Sequence, residues 1–244
     1  MAIWGKILGS TAGLMIGGPL GALIGGLAGH AYDRLKTTHS TGDQEILERQ
    51  GTFATAVIVL SAKMAKSDGR VTRDEINAFK KVFQIPPEDV QNVGRIFNQA
   101  RLDSQGFEPY ARQVANLFRN NPAVLEELLG GLFHIAQADG VSHPKEIDFL
   151  RDCAQIFGFN EATFERMRVT HMGNAMEDPY EILGVSPEMS DDAIRRAWRK
   201  LVREHHPDTL TAQGMPDDFI KIATEKIATI NAAYDIVAKQ RGIN

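Results

Sequence analysis

The strongest constraint on the fold is a stretch of 23 residues near the N-terminus, from Ile7 to Gly29, that carries no charged side chain. As a helix rising about 1.5 Å per residue, this stretch would extend about 34 Å and could cross a hydrocarbon core of ~30 Å. Trp4 and Tyr32 flank it, at the positions where aromatic rings settle in a membrane interface. The sequence therefore predicts a single transmembrane anchor within residues 1–35.

Glycine occupies every fourth position of this stretch. A glycine inside a water-exposed helix costs about 1 kcal/mol of helix stability relative to alanine. In a bilayer, the same stripe lets two helix backbones approach closely. We therefore expect the anchor to contact membrane lipid and to associate with a second copy, which makes the chain a homodimer. The glycines of this stripe are Gly9, Gly13, Gly17, Gly21, Gly25 and Gly29.

Two other interpretations of the N-terminus stay open. It could be a signal peptide cleaved near residues 28–31, although its apolar region is longer than signal peptides usually have. It could also be a glycine-rich segment buried in a soluble domain. Lys6 is the single basic residue before the stretch, whereas Arg34 and Lys36 follow it. This difference slightly favours a cytoplasmic location for the rest of the chain.

The composition excludes several classes of function. A net charge of -4 gives no reason to expect a nucleic acid as partner. The single cysteine, Cys153, excludes a disulfide framework and any zinc site built from paired cysteines. Because Cys153 lies in an apolar helical pattern, we expect it in the core and not as the nucleophile of a hydrolase. We expect no cofactor.

The middle of the chain, residues 44–172, repeats apolar side chains with helical periodicity and shows almost no strand pattern. It therefore predicts an all-α domain, and the whole chain is expected to be all-α. Helices are predicted over 45–66, 72–84, 87–102, 107–119, 121–138, 143–157 and 160–169.

An Asp-Gly turn followed by a helix that opens with a glutamate occurs twice in this domain. The turns are typical of helix ends, where glycine adopts the left-handed conformation. The acidic residues allow a second interpretation, a divalent-metal site formed by both copies. An EF-hand is excluded because Met64 and Lys66 would occupy its first ligand positions. The candidate metal ligands are Asp68, Glu75, Asp139 and Glu146.

The paired arrangement resembles the TerB-like all-helical domain over residues 50–170. In that family, two halves carry acidic residues near such turns, and members have been linked to metal binding. The resemblance implies a helical bundle and keeps the metal interpretation open beside the purely structural one.

Residues 178–244 predict a helical hairpin. Ser190 is a good N-cap for the first long helix, which must end before Pro207. A polar loop is expected up to Pro216, followed by a second helix over 217–239. The two helices should pack antiparallel and leave the loop at the exposed end. One face of the first helix is basic and carries Arg195, Arg196, Arg199, Lys200 and Arg203.

This hairpin closely resembles a J domain, and four segments carry the resemblance in the correct order. They are Asp178–Val185, Ile194–Leu201, the tripeptide His206-Pro207-Asp208 and Asn231–Tyr234. Two positions depart from the usual pattern: Trp198 stands where tyrosine is usual, and Thr209 stands where lysine is common.

The J-domain resemblance implies a co-chaperone that binds a DnaK-type ATPase and speeds its hydrolysis of ATP. The tripeptide His206, Pro207 and Asp208 and the basic residues of the first helix would form the partner-binding surface. A basic surface steers an acidic partner and makes association sensitive to salt. The chain itself would then be no enzyme, because the chemistry belongs to the partner.

An anchor, a TerB-like domain and a terminal J domain together resemble the DnaJ-like membrane-anchored co-chaperones. This resemblance implies a bacterial inner-membrane protein whose body lies in the cytoplasm, where the partner finds ATP. The TerB-like domain would then select a client or respond to a signal. The alternative is a metal-responsive envelope-stress adaptor that uses the J domain only as a docking surface.

Overall fold

The structure is a computed structural model that describes residues 18–25, 43–67, 76–77, 79–80, 85–137, 143–172, 178–213 and 215–243. Every regular element within these ranges is a helix, which confirms the predicted all-α class. The helices of the N-terminal and middle parts are α1 Gly18–Gly25, α2 Asp43–Ser67, α3 Val90–Leu102, α4 Glu108–Leu117, α5 Pro122–Ala136, α6 Pro144–Ile156 and α7 Glu161–Met172. The C-terminal part contains α8 Pro179–Leu183, α9 Asp191–Glu204, α10 Pro207–Ala212 and α11 Asp217–Arg241.

Two helices form the centre of the middle domain. In α2, every residue from 51 to 65 is buried, because α3, α4, α5 and α6 all pack against this helix. In α5, residues 123–133 are buried in the same way, between α2, α6, α7 and α11. A helix that is covered on all sides is expected to be apolar all round, and α5 nevertheless contains Glu126 and Glu127.

The predicted helices of the middle domain agree with the observed ones to within three residues at each end, except for the helix predicted over 72–84. Most of that range lies outside the described residues, although residues 76–77 and 79–80 are helical. Cys153 is fully buried, as its apolar surroundings in the sequence predict.

The N-terminal helix α1 packs against α2, α3 and α4. Its Leu20 and Leu23 are buried, and the backbone N–H of Leu20 donates to Gln113 Oε1 at 2.8 Å. Among the described helices, none combines the length and the apolar character that a membrane crossing needs. Most of the predicted anchor lies outside the described residues, including its glycines Gly9, Gly13, Gly17 and Gly29.

The C-terminal part is a hairpin of α9 and α11, as predicted. Trp198 on α9 contacts Asn231 on α11, and Arg241 at the end of α11 contacts Asp191 at the start of α9, so the helices are antiparallel. The end of the hairpin near α8 has a core of its own. It is formed by Leu183, Ile194, Ile230, Ala233 and Val237.

The other end of the hairpin differs from the sequence-based prediction in two ways. Residues 207–212 form the short helix α10 where a polar loop was expected. Leu210, Met215 and Phe219 join the core of the middle domain, so this end is exposed on its outer side only. The two differences occur together, because Leu210 lies in α10 and is fully buried in the core of the middle domain.

Candidate partner-binding site

The site is the corner between α9 and α10, where His206, Pro207 and Asp208 lie. His206 has an extended backbone (ψ 133°), as expected of a residue before proline, and Pro207 is the first residue of α10. His206 Nδ1 accepts the backbone N–H of Asp208 at 3.2 Å and thereby caps α10. The side chain of His206 is 50% exposed and that of Asp208 is 94% exposed. The tripeptide is therefore a capped, well-defined corner that points outward.

The same capping geometry occurs at a second His-Pro sequence, at the start of α6. His143 Nδ1 accepts the backbone N–H of Lys145 at 3.3 Å, and Pro144 is the first residue of the helix. A His-Pro corner is thus a general way to start a helix in this protein. What distinguishes the corner at His206 is its surroundings.

Those surroundings are basic on the outer side. The Ser190 hydroxyl accepts the backbone N–H of Ala193 at 3.3 Å and fixes the start of α9, as predicted. Arg195 is partly buried and lies 3.7 Å from Asp192, and a hydrogen bond with Tyr234 raises the pKa of its guanidinium. The exposed basic side chains are Arg196, Arg199, Lys200 and Arg203.

A shallow groove joins this basic face to the tripeptide. It is lined by Trp198, Arg199, Val202, Arg203, His206 and Thr209. The structure therefore brings His206 together with Arg199 and Arg203. Arg195, Arg196 and Lys200 lie on the same helix but do not line the groove, and neither do Pro207 and Asp208.

Trp198 fixes the groove to the rest of the hairpin. Its indole ring stacks on Tyr234 with the ring centroids 4.1 Å apart, and its N–H donates to Asn231 Oδ1 at 2.9 Å. Stacking and one hydrogen bond to a buried polar tip are the contacts that a large aromatic residue makes well. Trp198, which stands where tyrosine is usual, therefore contacts α11 through both its ring and its N–H.

A buried charged cluster lies under the corner, and the sequence analysis did not predict it. Lys226 Nζ donates to Glu126 Oε1 at 2.6 Å and to Glu127 Oε1 at 2.9 Å. His205 Nδ1 lies 2.6 Å from Glu127 Oε1, and Arg166 Nη2 donates to Glu126 Oε1 at 2.7 Å. The signal available in the sequence was the pair of adjacent glutamates inside an otherwise apolar helix.

The cluster holds its carboxylates in the ionised form. Burial alone would raise the pKa of Glu127, but Lys226 and His205 outweigh it and lower the pKa to about 2. The pKa of Glu126 is well below its usual value for the same reason, with Arg166 as a further cation. For His205, burial and the charge of Lys226 lower the pKa, but the two carboxylates raise it overall.

The candidate metal ligands are not brought together in the described part of the chain. Glu146 Oε2 accepts the backbone N–H of His143 at 3.0 Å, so this carboxylate completes the capping box of α6. Asp68, Glu75 and Asp139 lie outside the described residues. Within those residues, no group of three or more His, Cys, Asp or Glu side chains has an arrangement that could hold a metal ion.

Comparison with known proteins covers almost the whole chain. Residues 1–54 match the family described as "Co-chaperone DjlA transmembrane domain", residues 54–169 match "Tellurite resistance protein TerB", and residues 178–242 match "DnaJ domain". The "Co-chaperone protein DjlA" of Photobacterium profundum is 29% identical, over 98% of this chain and 99% of its own length. The proteins of the same name from Escherichia coli K12 and Salmonella typhimurium are 28% and 27% identical, each over 99% of both chains. No solved structure matches the chain.

Proposed function

We propose that this chain, which belongs to the DjlA family of J-domain co-chaperones, binds a DnaK-type ATPase at the corner of its J domain and stimulates ATP hydrolysis by that partner. One observation carries the proposal. His206 of the outward-facing tripeptide lines the same groove as Arg199 and Arg203 of the basic face, within a domain that matches the DnaJ family.

The tripeptide and the basic face have different roles in this proposal. His206, Pro207 and Asp208 would make the contact that stimulates hydrolysis, because their corner is capped and exposed. Arg195, Arg196, Arg199, Lys200 and Arg203 would attract an acidic surface of the ATPase and orient the encounter, an effect that salt screens. No residue of the chain is assigned a catalytic role, since the reaction takes place on the partner.

The match of residues 1–54 to the DjlA transmembrane domain implies association with a membrane. We assign residues 1–35 to a single-pass anchor in the bacterial inner membrane and place the body in the cytoplasm, where a DnaK-type partner finds ATP. This assignment requires α1 to leave its contacts with α2, α3 and α4 when the anchor is in the membrane. The glycines at every fourth position support homodimerisation through the anchor. Residues 44–172 would form the TerB-like domain, which selects the client or the signal, and residues 178–244 the J domain.

The adaptor alternative is not supported. The relatives are named co-chaperones, and the C-terminal domain matches the DnaJ family. In the described ranges, the one candidate metal ligand that is visible, Glu146, serves as a helix cap.

The direct test is single-turnover ATP hydrolysis by a DnaK-type ATPase, with the full chain supplied in detergent micelles. Wild type should accelerate hydrolysis, and His206→Gln should abolish the acceleration. His143→Gln is a matched control, because it removes the same kind of N-cap at α6 and should leave the acceleration unchanged. Equal acceleration by wild type and His206→Gln would show that the partner-binding site is misassigned.

A further inference from the structure

The buried charged cluster joins the two domains at the residue next to the tripeptide. Glu126 and Glu127 belong to α5 of the TerB-like domain, whereas His205 and Lys226 belong to the J domain. The side chains of Glu127 and Lys226 are fully buried, and those of His205 and Glu126 are 1% and 8% exposed. Because the neighbour of His205 in the chain is His206, this cluster is one peptide bond away from the partner-binding corner.

His205 is held from both sides of its ring. Nδ1 lies 2.6 Å from Glu127 Oε1, and Nε2 lies 3.3 Å from Glu126 Oε1. The backbone N–H of His205 also donates to Leu201 O at 3.0 Å and ends α9. Both the ring and the backbone of His205 are therefore held in place. Together they set the direction of the chain from His205 to His206.

The interface between the two domains also has apolar contacts, and the side chains of the cluster are buried. The Phe219 ring packs edge-on against Phe53, with the centroids 4.5 Å apart. A Cβ added at Gly131 would stand only 2.7 Å from Cε1 of the same ring. In such an enclosed site, removing one partner of a charge pair leaves the other uncompensated, so the geometry of the cluster is strongly enforced.

The contact between the domains covers only the inner side of the corner. His206 and Asp208 stay exposed on the outer side, together with Arg199, Lys200 and Arg203. The TerB-like domain therefore does not block the surface assigned to the ATPase. It contacts the inner side of the corner, and the outer side, from which a partner would approach, stays exposed.

We infer that Glu126 and Glu127 of the TerB-like domain are positioning residues, which hold the His206–Asp208 corner in its active orientation through His205 and Lys226. This inference rests on the proposed function, because the orientation matters only if the corner acts on an ATPase. It gives the TerB-like domain a direct part in stimulation, since any event that shifts α5 would also shift the corner.

Glu127→Gln in the full chain tests the inference, because it keeps the shape of the side chain and removes its charge. Amide hydrogen exchange over residues 206–212 should become roughly 100-fold faster, since a buried cation is left without one of its carboxylates. The maximal stimulation of ATP hydrolysis should fall about tenfold, as expected when a contact is displaced by a fraction of an ångström. The salt dependence of half-saturation should not change, because the basic face is intact.

Asp103→Asn is the matched control. It removes the carboxylate of another mostly buried pair, Lys63 with Asp103 at 2.9 Å, whose two members both lie in the TerB-like domain. This variant should leave both the exchange over residues 206–212 and the stimulation as in wild type. Equal loss in Asp103→Asn and Glu127→Gln would mean that general destabilisation, and not positioning, is measured.

A second variant keeps the inference testable if Glu127→Gln does not fold. His205→Leu removes the contacts of the ring with Glu126, Glu127 and Lys226 and leaves Lys226 paired with the two glutamates. This variant should show the same two effects. Wild-type exchange and stimulation in the folded variant would overturn the positioning role. A wild-type chain that fails to stimulate at all would instead overturn the proposed function, and the exchange measurement would still decide whether α5 holds the corner.

Discussion

The two ends of the J-domain hairpin are stabilised by different means. At the end near α8, Arg241 donates to the carbonyl oxygens of Pro187 and Met189 and to Asp191. The apolar core at this end is a separate cluster from α8, α9 and α11, and α8 also packs against α7 of the TerB-like domain. At the corner end, Leu210 and Phe219 share a core with the TerB-like domain. The end near α8 therefore has an apolar core of its own, whereas the corner end shares its core with the TerB-like domain.

The corner itself shows the same difference between its two sides. Its outer side has exposed cations and an exposed tripeptide, and its inner side has a cluster of charges shielded from water. Exposed charges act mainly on the rate of encounter, while buried charges act on geometry.

Phe219→Ala should have the largest effect on stability. Removing a fully buried aromatic ring typically costs about 3–5 kcal/mol, and this ring lies in the shared core. Ile236→Ala on the same helix is the control, because Ile236 is 49% exposed and its loss should cost about 0.5 kcal/mol or less. Denaturant unfolding measures both. Similar costs for the two variants would remove the distinction between the shared core and the exposed surface of α11.

As the pH falls, the corner end of the hairpin should lose stability at a higher pH than the end near α8. The pKa of Glu127 is about 2 in the folded chain and 4.5 without its partners, so its contribution is present above pH 4.5 and is lost as the pH falls toward 2. That difference corresponds to roughly 3 kcal/mol. Burial lowers the pKa of His171 from 6.5 to about 3. Stability therefore also falls as the pH drops from 6.5 toward 3, because the unfolded chain binds this proton first.

The measurement is amide hydrogen exchange as a function of pH, corrected for the intrinsic exchange rate. It compares protection at the corner, residues 206–212, with protection in and after α8, residues 179–185. In wild type, protection at the corner should fall at a higher pH than protection in α8, and Glu127→Gln should remove the part of this pH dependence that comes from Glu127. Simultaneous loss at both ends would contradict the separate stabilisation of the corner.

Two glycine substitutions should change stability in opposite directions. An added Cβ at Gly131 would stand 2.7 Å from Phe219 Cε1, so Gly131→Ala forces the shared core apart and should cost about 1–3 kcal/mol. Gly94 lies inside α3 with no atom within 4 Å of an added Cβ, and Gly94→Ala should stabilise by about 1 kcal/mol or less. Thermal unfolding of both variants checks the signs, and stabilisation by Gly131→Ala would show that α5 and α11 do not pack this closely.

Reversing charges on the outer side should slow association and leave stability nearly unchanged. Arg199→Glu with Arg203→Glu is expected to reduce the association rate with an ATP-bound DnaK-type ATPase by roughly tenfold at low salt, with a smaller effect at high ionic strength. Lys239→Glu, an exposed charge at the far end of α11, is the control and should change the rate little. Stopped-flow binding provides the rates. Equal slowing by both changes would indicate a general charge effect and no defined docking face.

The outer side of the corner could be predicted from sequence because its signals are local. Ser190 as an N-cap, the end of α9 before Pro207 and the spacing of the arginines each depend on a few neighbouring residues, and the structure contains all three. The antiparallel packing of α9 and α11 followed from their two apolar stripes in the same way.

The inner side could not be predicted, because its contacts join distant positions. Lys226 contacts carboxylates 99 and 100 positions earlier in the chain, and periodicity in either helix says nothing about that pairing. The short helix α10 was missed for a related reason, since Leu210 is buried by a core outside its own hairpin. Glu126 and Glu127 were visible as charges within an apolar helix, but only the fold identifies their partners.

The most direct test of this account is a hydrogen-exchange comparison of the full chain with and without an ATP-bound DnaK-type ATPase. The account predicts new protection in α9 and at residues 206–209, with no change in α5, where Glu126 and Glu127 stay paired with the J domain. No protection at the corner would contradict its contact with the partner. Faster exchange in α5 when the partner binds would contradict a TerB-like domain that keeps its contacts with the inner side of the corner.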